Sequence, residues 1–173
     1  PALNGEGDDE RRGRATQLLA EVLRHAPRDV PLNAAQAAHV QAFLIARLDD
    51  YPSVQAALGG LEALVLAHAP ALAANPDPNP VVALVEALSE RLHLPSLARA
   101  IRQRGYGVFA AMLDPRAGAL APLAGAAQKK FGLGLCAAVE GEKDPRCLLL
   151  AMRTARAYLD ALRGGGGGGG GGG

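Results

Sequence analysis

The feature that most constrains this chain is a unit in which a helix stops, the chain turns, and a new helix restarts at a proline or its capping residue. One series of starts lies near Asn33, Asn79 and Pro122, and a second lies at Pro52, Pro95 and Pro145. Both series advance by about 42–50 residues, close to the roughly 40–47-residue period of HEAT-type helix pairs. The spacing therefore predicts an all-α, HEAT-type solenoid of antiparallel helix pairs.

Composition agrees with a helical fold. Hydrophobic residues make up 49% of the chain and aromatic residues only 3%, whereas strands favour β-branched and aromatic side chains. A single helical hairpin cannot bury both of its apolar faces, so successive pairs are expected to stack on one another. An ordinary helical bundle is the alternative, because proline is also common at helix starts in bundles.

The sequence divides into three parts. Residues 1–14 are polar and predict a loose leader, and residues 164–173 are all glycine and predict a flexible linker. Residues 15–163 are expected to form about three helix pairs after a leading helix. The predicted helices span 15–25, 33–48, 52–68, 80–92, 95–113, 122–140 and 145–163, with a proline-rich loop at 70–80.

The last helix is the most clearly delimited. Gly141 ends the preceding apolar run and is suited to a left-handed turn. Asp144 is placed to cap the next helix, and Pro145 fits its first position. The helix itself is amphipathic. One face is apolar, and the other carries Arg146, Arg153, Arg156, Asp160 and Arg163.

Motifs for catalysis or for ligating a metal are lacking in the sequence. The two cysteines and four histidines show no CxxC, HxxxH or HExxH spacing, so no catalytic residue, cofactor or metal is expected. Cys147 falls in the first turn of a helix, where a thiol can have a lowered pKa. Two spaced cysteines without a secretory segment are typical of a reduced, intracellular protein.

Charge and hydropathy argue against two further classes of partner. The formal net charge is +1, which gives no bulk electrostatic reason to expect direct nucleic-acid binding. No apolar run is expected to reach the roughly 18–20 residues that cross a bilayer. We therefore expect protein partners rather than nucleic acid or a membrane.

Two clusters are the candidate partner-binding residues. They are Arg99, Arg102 and Arg104 on the fifth helix, and Glu142, Lys143, Asp144 and Arg146 in the last turn. The inter-helix turns of a solenoid line up along one rim, which can serve as a recognition edge. The alternatives are a solvated helix face and an ordinary cap. If the turn is a contact site, reversing Glu142 and Lys143 should weaken partner capture and leave the melting temperature nearly unchanged.

Three segments carry a resemblance to a known family. They are FLIARLDDYPSVQAALGGLEALV from Phe43, IRQRGYGVFAAML from Ile101, and the region from Phe131 to Leu150 that contains GEKDPR. In order and spacing they resemble the amino-terminal region of the large HEAT-repeat DNA-repair and transcription proteins, the methyl methanesulfonate sensitivity family of the cytosolic iron–sulfur assembly targeting complex. The resemblance covers roughly residues 22–162.

The resemblance implies an adaptor rather than an enzyme. Its expected partners are client iron–sulfur apoproteins and subunits of the assembly complex, and its expected location is cytoplasmic and nuclear. The resemblance also implies that the chain does not hold a cluster itself. Two alternatives are an unrelated HEAT or armadillo adaptor and a helical bundle that binds a small molecule in a closed pocket.

Overall fold

The computed structural model describes residues 3–25, 31–74, 79–114 and 126–165. Within these ranges the chain is helical and contains no strand. The helices are α1 Leu3–His25, α2 Ala34–Ala46, α3 Val54–Ala73, α4 Pro80–Glu86, α5 Arg99–Met112, α6 Ala126–Val139 and α7 Pro145–Gly165. A 3-10 turn at Arg47–Asp49 follows α2, and a π-helical turn at Ala87–Arg91 extends α4.

The helices form two layers. In the first layer α3 packs between α1 and α5, and α5 packs between α3 and α7. The second layer contains α2, α4 and α6, with α2 against α3 and α4 against α6. Among the described residues, the extensive contacts between odd-numbered helices join only successive ones: α1 with α3, α3 with α5, and α5 with α7. This succession is consistent with the predicted helical repeat.

The core runs continuously between the layers. Leucines of α2 and α3 fill one part of it, including Leu44, Leu58, Leu61 and Leu64, all fully buried. Aromatic rings fill another part. Phe131 of α6 meets Phe109 edge-on at 5.6 Å and stacks on Tyr158 at 5.2 Å, both between ring centroids. Offset and edge-on ring pairs of this kind stabilise packing beyond the area they bury.

The expected loose leader is wrong for residues 3–14, which belong to α1. Charged side chains there are spaced for helical ion pairs: Arg12 contacts both Asp8 and Asp9, and Arg14 contacts Glu10. Arg12 also reaches Asp50 at 3.3 Å, in the turn before α3. A polar composition suggested disorder, but these pairs and the tertiary contact order the segment as a helix.

Helix α3 continues beyond its predicted end at His68. His68 adopts a non-helical backbone conformation, with φ −131° and ψ 23°, and the helix resumes through Pro70 to Ala73. Pro70 has no N–H to donate to the helix, and its ring crowds the backbone of the preceding turn. A kink just before Pro70 relieves this steric conflict. The loop predicted at 70–80 is therefore wrong for residues 70–73, and residues 75–78 lie outside the described ranges.

Helix α5 begins later than predicted. Pro95 lies in a short 3-10 turn at Leu94–Ser96, and α5 starts at Arg99 after the extended residue Ala98. Leu94 is buried against Gly105 of α5. The 3-10 turn therefore places the Leu94 side chain in the core. The sixth helix was predicted from Pro122, but residues 115–125 lie outside the described ranges.

The apolar character of α3 has a second consequence. By length and composition alone its 20 residues could cross a membrane, contrary to the sequence expectation, but 61% of the window is buried inside the fold. Its glycines allow close packing: a Cβ at Gly60 would lie 3.0 Å from Leu44 Cδ2. Helix α3 is therefore the central core helix of the stack.

Candidate protein-interaction site

The turn between α6 and α7 is built as the sequence predicts. Gly141 has φ +77°, the left-handed conformation that glycine adopts without a Cβ penalty. The Glu142 N–H donates to the Val139 carbonyl at 3.0 Å, which closes the end of α6. The turn places three consecutive polar residues, 142–144, ahead of the next helix.

Asp144 is the N-cap of α7. Its Oδ1 accepts hydrogen bonds from the backbone N–H groups of Arg146 at 2.9 Å and Cys147 at 3.2 Å. Partial burial alone would raise the pKa of Asp144, but the two hydrogen bonds and the nearby guanidinium of Arg99 lower it. This carboxylate thus stays ionised at the positive end of the helix dipole.

Glu142 forms the buried centre of the turn. Its side chain is 2% exposed and meets Arg102 of α5 through Nε–Oε2 at 2.7 Å and Nη2–Oε1 at 3.2 Å. The Glu142 Oε1 also accepts the backbone N–H groups of Lys143 at 2.9 Å and Asp144 at 2.8 Å. This two-point charge pair fastens the turn to α5.

The pKa of Glu142 reflects two opposed effects. Burial disfavours its charged form and alone would raise the pKa. The hydrogen bonds from the Asp144 N–H and the Arg102 guanidinium outweigh burial, so the pKa is lowered. The carboxylate is therefore ionised at neutral pH and fully engaged within the chain.

Tyr106 and Cys147 complete this cluster. The Tyr106 hydroxyl donates to the Ala138 carbonyl at 2.8 Å and lies 3.3 Å from Glu142 Oε2. Burial and the Glu142 carboxylate raise the pKa of Tyr106. Burial and the same carboxylate also raise the pKa of Cys147. The lowered pKa that a helix N-terminus can give a thiol is therefore not found at Cys147, which is a buried residue beside a carboxylate.

The seven predicted contact residues thus fall into two groups. Glu142, Arg102 and Asp144 are engaged within the chain. Glu142 pairs with Arg102 and accepts the backbone N–H of Asp144, and Asp144 caps α7. The exposed members are Arg99, Arg104, Lys143 and Arg146. Arg104 pairs with Glu62 of α3 at 3.1 Å. A partner-binding role for the exposed members stays a prediction.

Sequence reasoning missed one member of the buried cluster and one pairing within it. Tyr106 was not singled out as a candidate, and its hydroxyl contacts a residue 36 positions later. The pairing of Arg102 with Glu142 spans 40 positions. No local spacing signals contacts of this range, which depend on how α5 lies against α6 and α7.

Surface grooves, rather than a closed chamber, occur in the described part of the chain. A groove with a volume of about 600 Å³ lies between α6 and α7, and its lining includes the exposed side chains of Cys136 and Met152. In the ranges that the structure describes, no three ligand-type side chains converge as a metal site requires. That the chain binds no metal or cofactor stays a prediction.

Comparison with known proteins identifies relatives along nearly the whole chain. Residues 2–165 match the family described as "Dos2-interacting transcription regulator of RNA-Pol-II". The human MMS19 nucleotide excision repair protein homolog is 33% identical over 82% of this chain, and the mouse protein of the same name is 31% identical over 82%. The Schizosaccharomyces pombe DNA repair/transcription protein mms19 is 28% identical over 86%.

These relatives are much longer than this chain. It spans only 13–14% of the length of each of them. No solved structure gives a significant match. The match across residues 2–165, together with the human relative, shows that the chain belongs to the family of Dos2-interacting transcription regulators of RNA-Pol-II, which includes the MMS19 DNA-repair proteins.

Proposed function

We propose that this chain is a protein-binding scaffold module, without catalytic activity, in the MMS19 family's maturation of iron–sulfur proteins. Its partners would be client apoproteins for DNA repair, replication and transcription, and subunits of the cytosolic assembly complex. The proposed location is cytoplasmic and nuclear. Family membership supports the link to repair and transcription, and the sequence resemblance supports the link to iron–sulfur assembly.

One structural observation carries the scaffold role. Helices α1–α7 pack in succession in two layers, and several of them, among them α1, α5 and α7, have exposed side chains. An extended surface of this kind suits protein recognition, as in other helical repeats. Enzymes usually need converging polar groups in a concave site instead.

The match to the MMS19 family overturns the alternative of an unrelated HEAT or armadillo adaptor. The second candidate is an adaptor role for other protein partners within that family. It would share the stacked helices but not the iron–sulfur partners. A helical bundle around an enclosed ligand is less well supported, because the 600 Å³ groove has exposed side chains in its lining.

The test is affinity capture with the full-length parent protein, followed by mass spectrometry. We expect iron–sulfur enzymes and assembly subunits to be enriched over an untagged control. A capture without any of them would reject the iron–sulfur proposal. Recovery of other protein partners alone would favour the second candidate, an adaptor role outside iron–sulfur assembly.

A paired variant tests the exposed candidates in the same experiment. Arg99→Glu with Lys143→Glu reverses two exposed cations near the last turn. Arg11→Glu with Lys129→Glu makes the same change of charge at exposed positions on α1 and α6. Loss of partners in the first variant but not the second assigns the turn to recognition. Equal capture by both would remove Arg99 and Lys143 from the site.

A further inference from the structure

A polar groove with a volume of about 320 Å³ runs between α1 and α3. Among the described residues, its lining includes Gln17, Glu21 and Arg24 of α1, Gln55 of α3 and Arg104 of α5. The second layer contributes none of the lining residues, so this α1–α3 groove opens on the face of the first layer that points away from α2, α4 and α6. Its volume lies at the lower end of the range for ligand sites.

The α1–α3 groove lies within the stack and not at one of its ends. It follows the contact between α1 and α3, two helices that pack closely on each other. A further helix pair at either end of the stack would pack beside α1 or α7 and would leave this face open. The accessibility of the groove is therefore independent of what precedes α1 or follows α7.

Small residues line the deepest part of the groove. Ala20 of α1 is 2% exposed, and Gly59 of α3 is buried. The guanidinium of Arg24 lies across Gly59, where an added Cβ would come within 3.2 Å of Arg24 Nη2. Because glycine has no side chain, the main chain of a ligand can approach the helices closely at this point.

Two glutamine amides line the groove, one from each helix. Gln17 of α1 and Gln55 of α3 are exposed, and neither side chain forms a hydrogen bond within the described residues. A primary amide offers both donors and an acceptor, which complement the C=O and N–H of a peptide group. An extended peptide presents those groups to its surroundings, whereas a helix pairs them internally. The amides therefore favour an extended chain as the occupant.

The two arginines of the groove have hydrogen-bond donors to spare. Within the described residues, Nη1 of Arg24 donates to Glu21 Oε1 at 2.5 Å, and Nη1 of Arg104 donates to Glu62 Oε2 at 3.1 Å. A guanidinium has five N–H donors, so most of those on each arginine remain available to a ligand. The arginine side chains are 37% and 45% exposed, and ion pairs at such exposure are weak. Each arginine can therefore hold a second carboxylate beside the one it already contacts.

We propose that the α1–α3 groove binds an extended acidic segment of a partner protein. Carboxylates of that segment would pair with Arg24 and Arg104, and its main chain would exchange hydrogen bonds with Gln17 and Gln55. The proposal rests on the scaffold function proposed above and specifies the chemistry of one class of partner. In peptide recognition, main-chain hydrogen bonds commonly give affinity and side-chain contacts give specificity.

Nucleic acid fits the groove less well. Glu21 lines it, and the hydrogen bond from Arg24 lowers the pKa of Glu21, which is therefore ionised at neutral pH. A nucleic acid brings a phosphate with every nucleotide, so some of its charges would face this carboxylate. An extended peptide can carry its acidic residues only where they meet the arginines. The described lining also contains no aromatic ring on which bases could stack.

The experiment measures fluorescence anisotropy with the complete 173-residue chain. The probe is a short, labelled, flexible peptide with glutamate at alternate positions. One comparison peptide has glutamine in place of each glutamate. A second keeps the glutamates but has N-methyl groups on its main chain, which removes the N–H donors. The third comparison is a single-stranded DNA oligonucleotide of similar length.

The first variant, Arg24→Gln with Arg104→Gln, removes both positive charges from the groove. Its matched control, Arg14→Gln with Arg156→Gln, removes two exposed arginines that form ion pairs elsewhere on the chain. We expect the glutamate peptide to bind the native chain and the control equally, and the groove variant about 10-fold more weakly. Affinity should fall as salt rises, because the arginines are partly exposed.

The second variant, Gln17→Ala with Gln55→Ala, tests the main-chain contacts. It should weaken the glutamate and glutamine peptides by a similar factor, whereas loss of the two arginines should weaken mainly the glutamate peptide. The N-methylated peptide should bind the native chain more weakly than the glutamate peptide does. Circular dichroism should show that each variant is folded.

Five outcomes would overturn the proposal. They are no binding of the glutamate peptide, equal binding of the glutamine peptide, equal binding by the arginine variant and its control, unchanged binding by the glutamine-to-alanine variant, and tighter binding of the oligonucleotide. None of these affects capture of iron–sulfur enzymes by the full-length parent. Conversely, failure of that capture would leave the peptide result standing, so the two proposals can fail separately.

Discussion

At the scale of single residues, Glu142 is the side chain on which the last turn depends. It is buried, and it accepts hydrogen bonds from Arg102 and from two backbone N–H groups. We expect Glu142→Gln to lower the free energy of unfolding by about 2 kcal/mol, because a hydrogen-bonded charge pair is broken and Arg102 is left without a charged partner. Urea denaturation measures this.

Lys143→Ala is the matched control for that variant. Lys143 is the adjacent exposed residue, and its substitution should change stability by no more than about 0.5 kcal/mol. Equal effects of the two substitutions would show that the Glu142–Arg102 pair does not stabilise the turn. Because Glu142 is buried against Arg102, reversing Glu142 and Lys143 should lower the melting temperature, contrary to the expectation from the sequence.

The same carboxylate makes a prediction about pH. The pKa of Glu142 is lower in the folded chain than its ordinary value, so the folded state binds its proton less readily than the unfolded state does. Its stabilising contribution is complete above the ordinary glutamate pKa and is lost as pH falls through the lower pKa of the folded state. The stabilities of the native chain and Glu142→Gln, measured in urea titrations, should therefore converge as the pH is lowered through that pKa. A difference that stays constant from neutral pH into the acid range would contradict this assignment.

The two thiols should differ in reactivity. Cys136 is exposed, whereas Cys147 is fully buried, with its pKa raised by burial and by Glu142. A thiol reagent at neutral pH should label one cysteine in the folded chain and both in urea. Cys136→Ala should then leave no rapidly labelled thiol. Fast labelling of that variant would mean that α7 opens readily at its first turn.

At the scale of elements, the close packing of two helices depends on glycines, which have no Cβ. A Cβ at Gly134 of α6 would lie 2.5 Å from the fully buried Val85 Cγ1 of α4. We expect Gly134→Ala to destabilise the chain, even though alanine favours a helix interior by about 1 kcal/mol over glycine. The measurement is again chemical denaturation, with m-values compared.

Gly7 of α1 provides the control for that substitution. A Cβ there meets nothing within 4 Å, so Gly7→Ala should stabilise the chain by up to about 1 kcal/mol. Opposite signs for the two variants would establish close packing of α6 on α4. Stabilisation by both would show that the two helices can move apart to admit a methyl group.

Helix ends were the predictable part of these elements. Asn33 caps α2 with a capping box to Gln36, Asn79 caps α4, and Asp144 caps α7. These signals are local, since a side chain bonds the backbone two or three residues away. The start of α5 was missed because Pro95 serves a 3-10 turn that buries Leu94, and this choice depends on a distant helix.

The candidate site was predictable only in part, for a related reason. The sequence identified the charged turn and the arginines of α5, and it left open a recognition edge, an ordinary cap and a solvated helix face. Whether Arg102 lies in solvent or against Glu142 depends on packing between elements 40 residues apart. The charged face of α7, by contrast, is visible in the sequence because helical periodicity alone places its arginines together.

At the scale of the whole molecule, the stack predicts a gradient of local stability. Helix α3 contacts α1, α2 and α5, whereas α1 packs mainly on α3 and α7 mainly on α5 and α6. In a helical repeat each unit is stabilised by its neighbours, so units with fewer neighbours open more readily. We expect native-state hydrogen exchange to be slowest in α3 and faster in α1 and α7.

That gradient distinguishes a repeat stack from a single closed bundle. In a bundle around one core, the most protected amides of every helix would exchange together through global unfolding. The Glu142→Gln variant sharpens the comparison, because it loosens the attachment of α7 to α5. In a stack it should accelerate exchange in α7 far more than in α1, whereas uniform acceleration in all helices would indicate one cooperative unit. The exchange experiment therefore tests whether each helix is stabilised by its neighbours in the stack or by one core that all helices share.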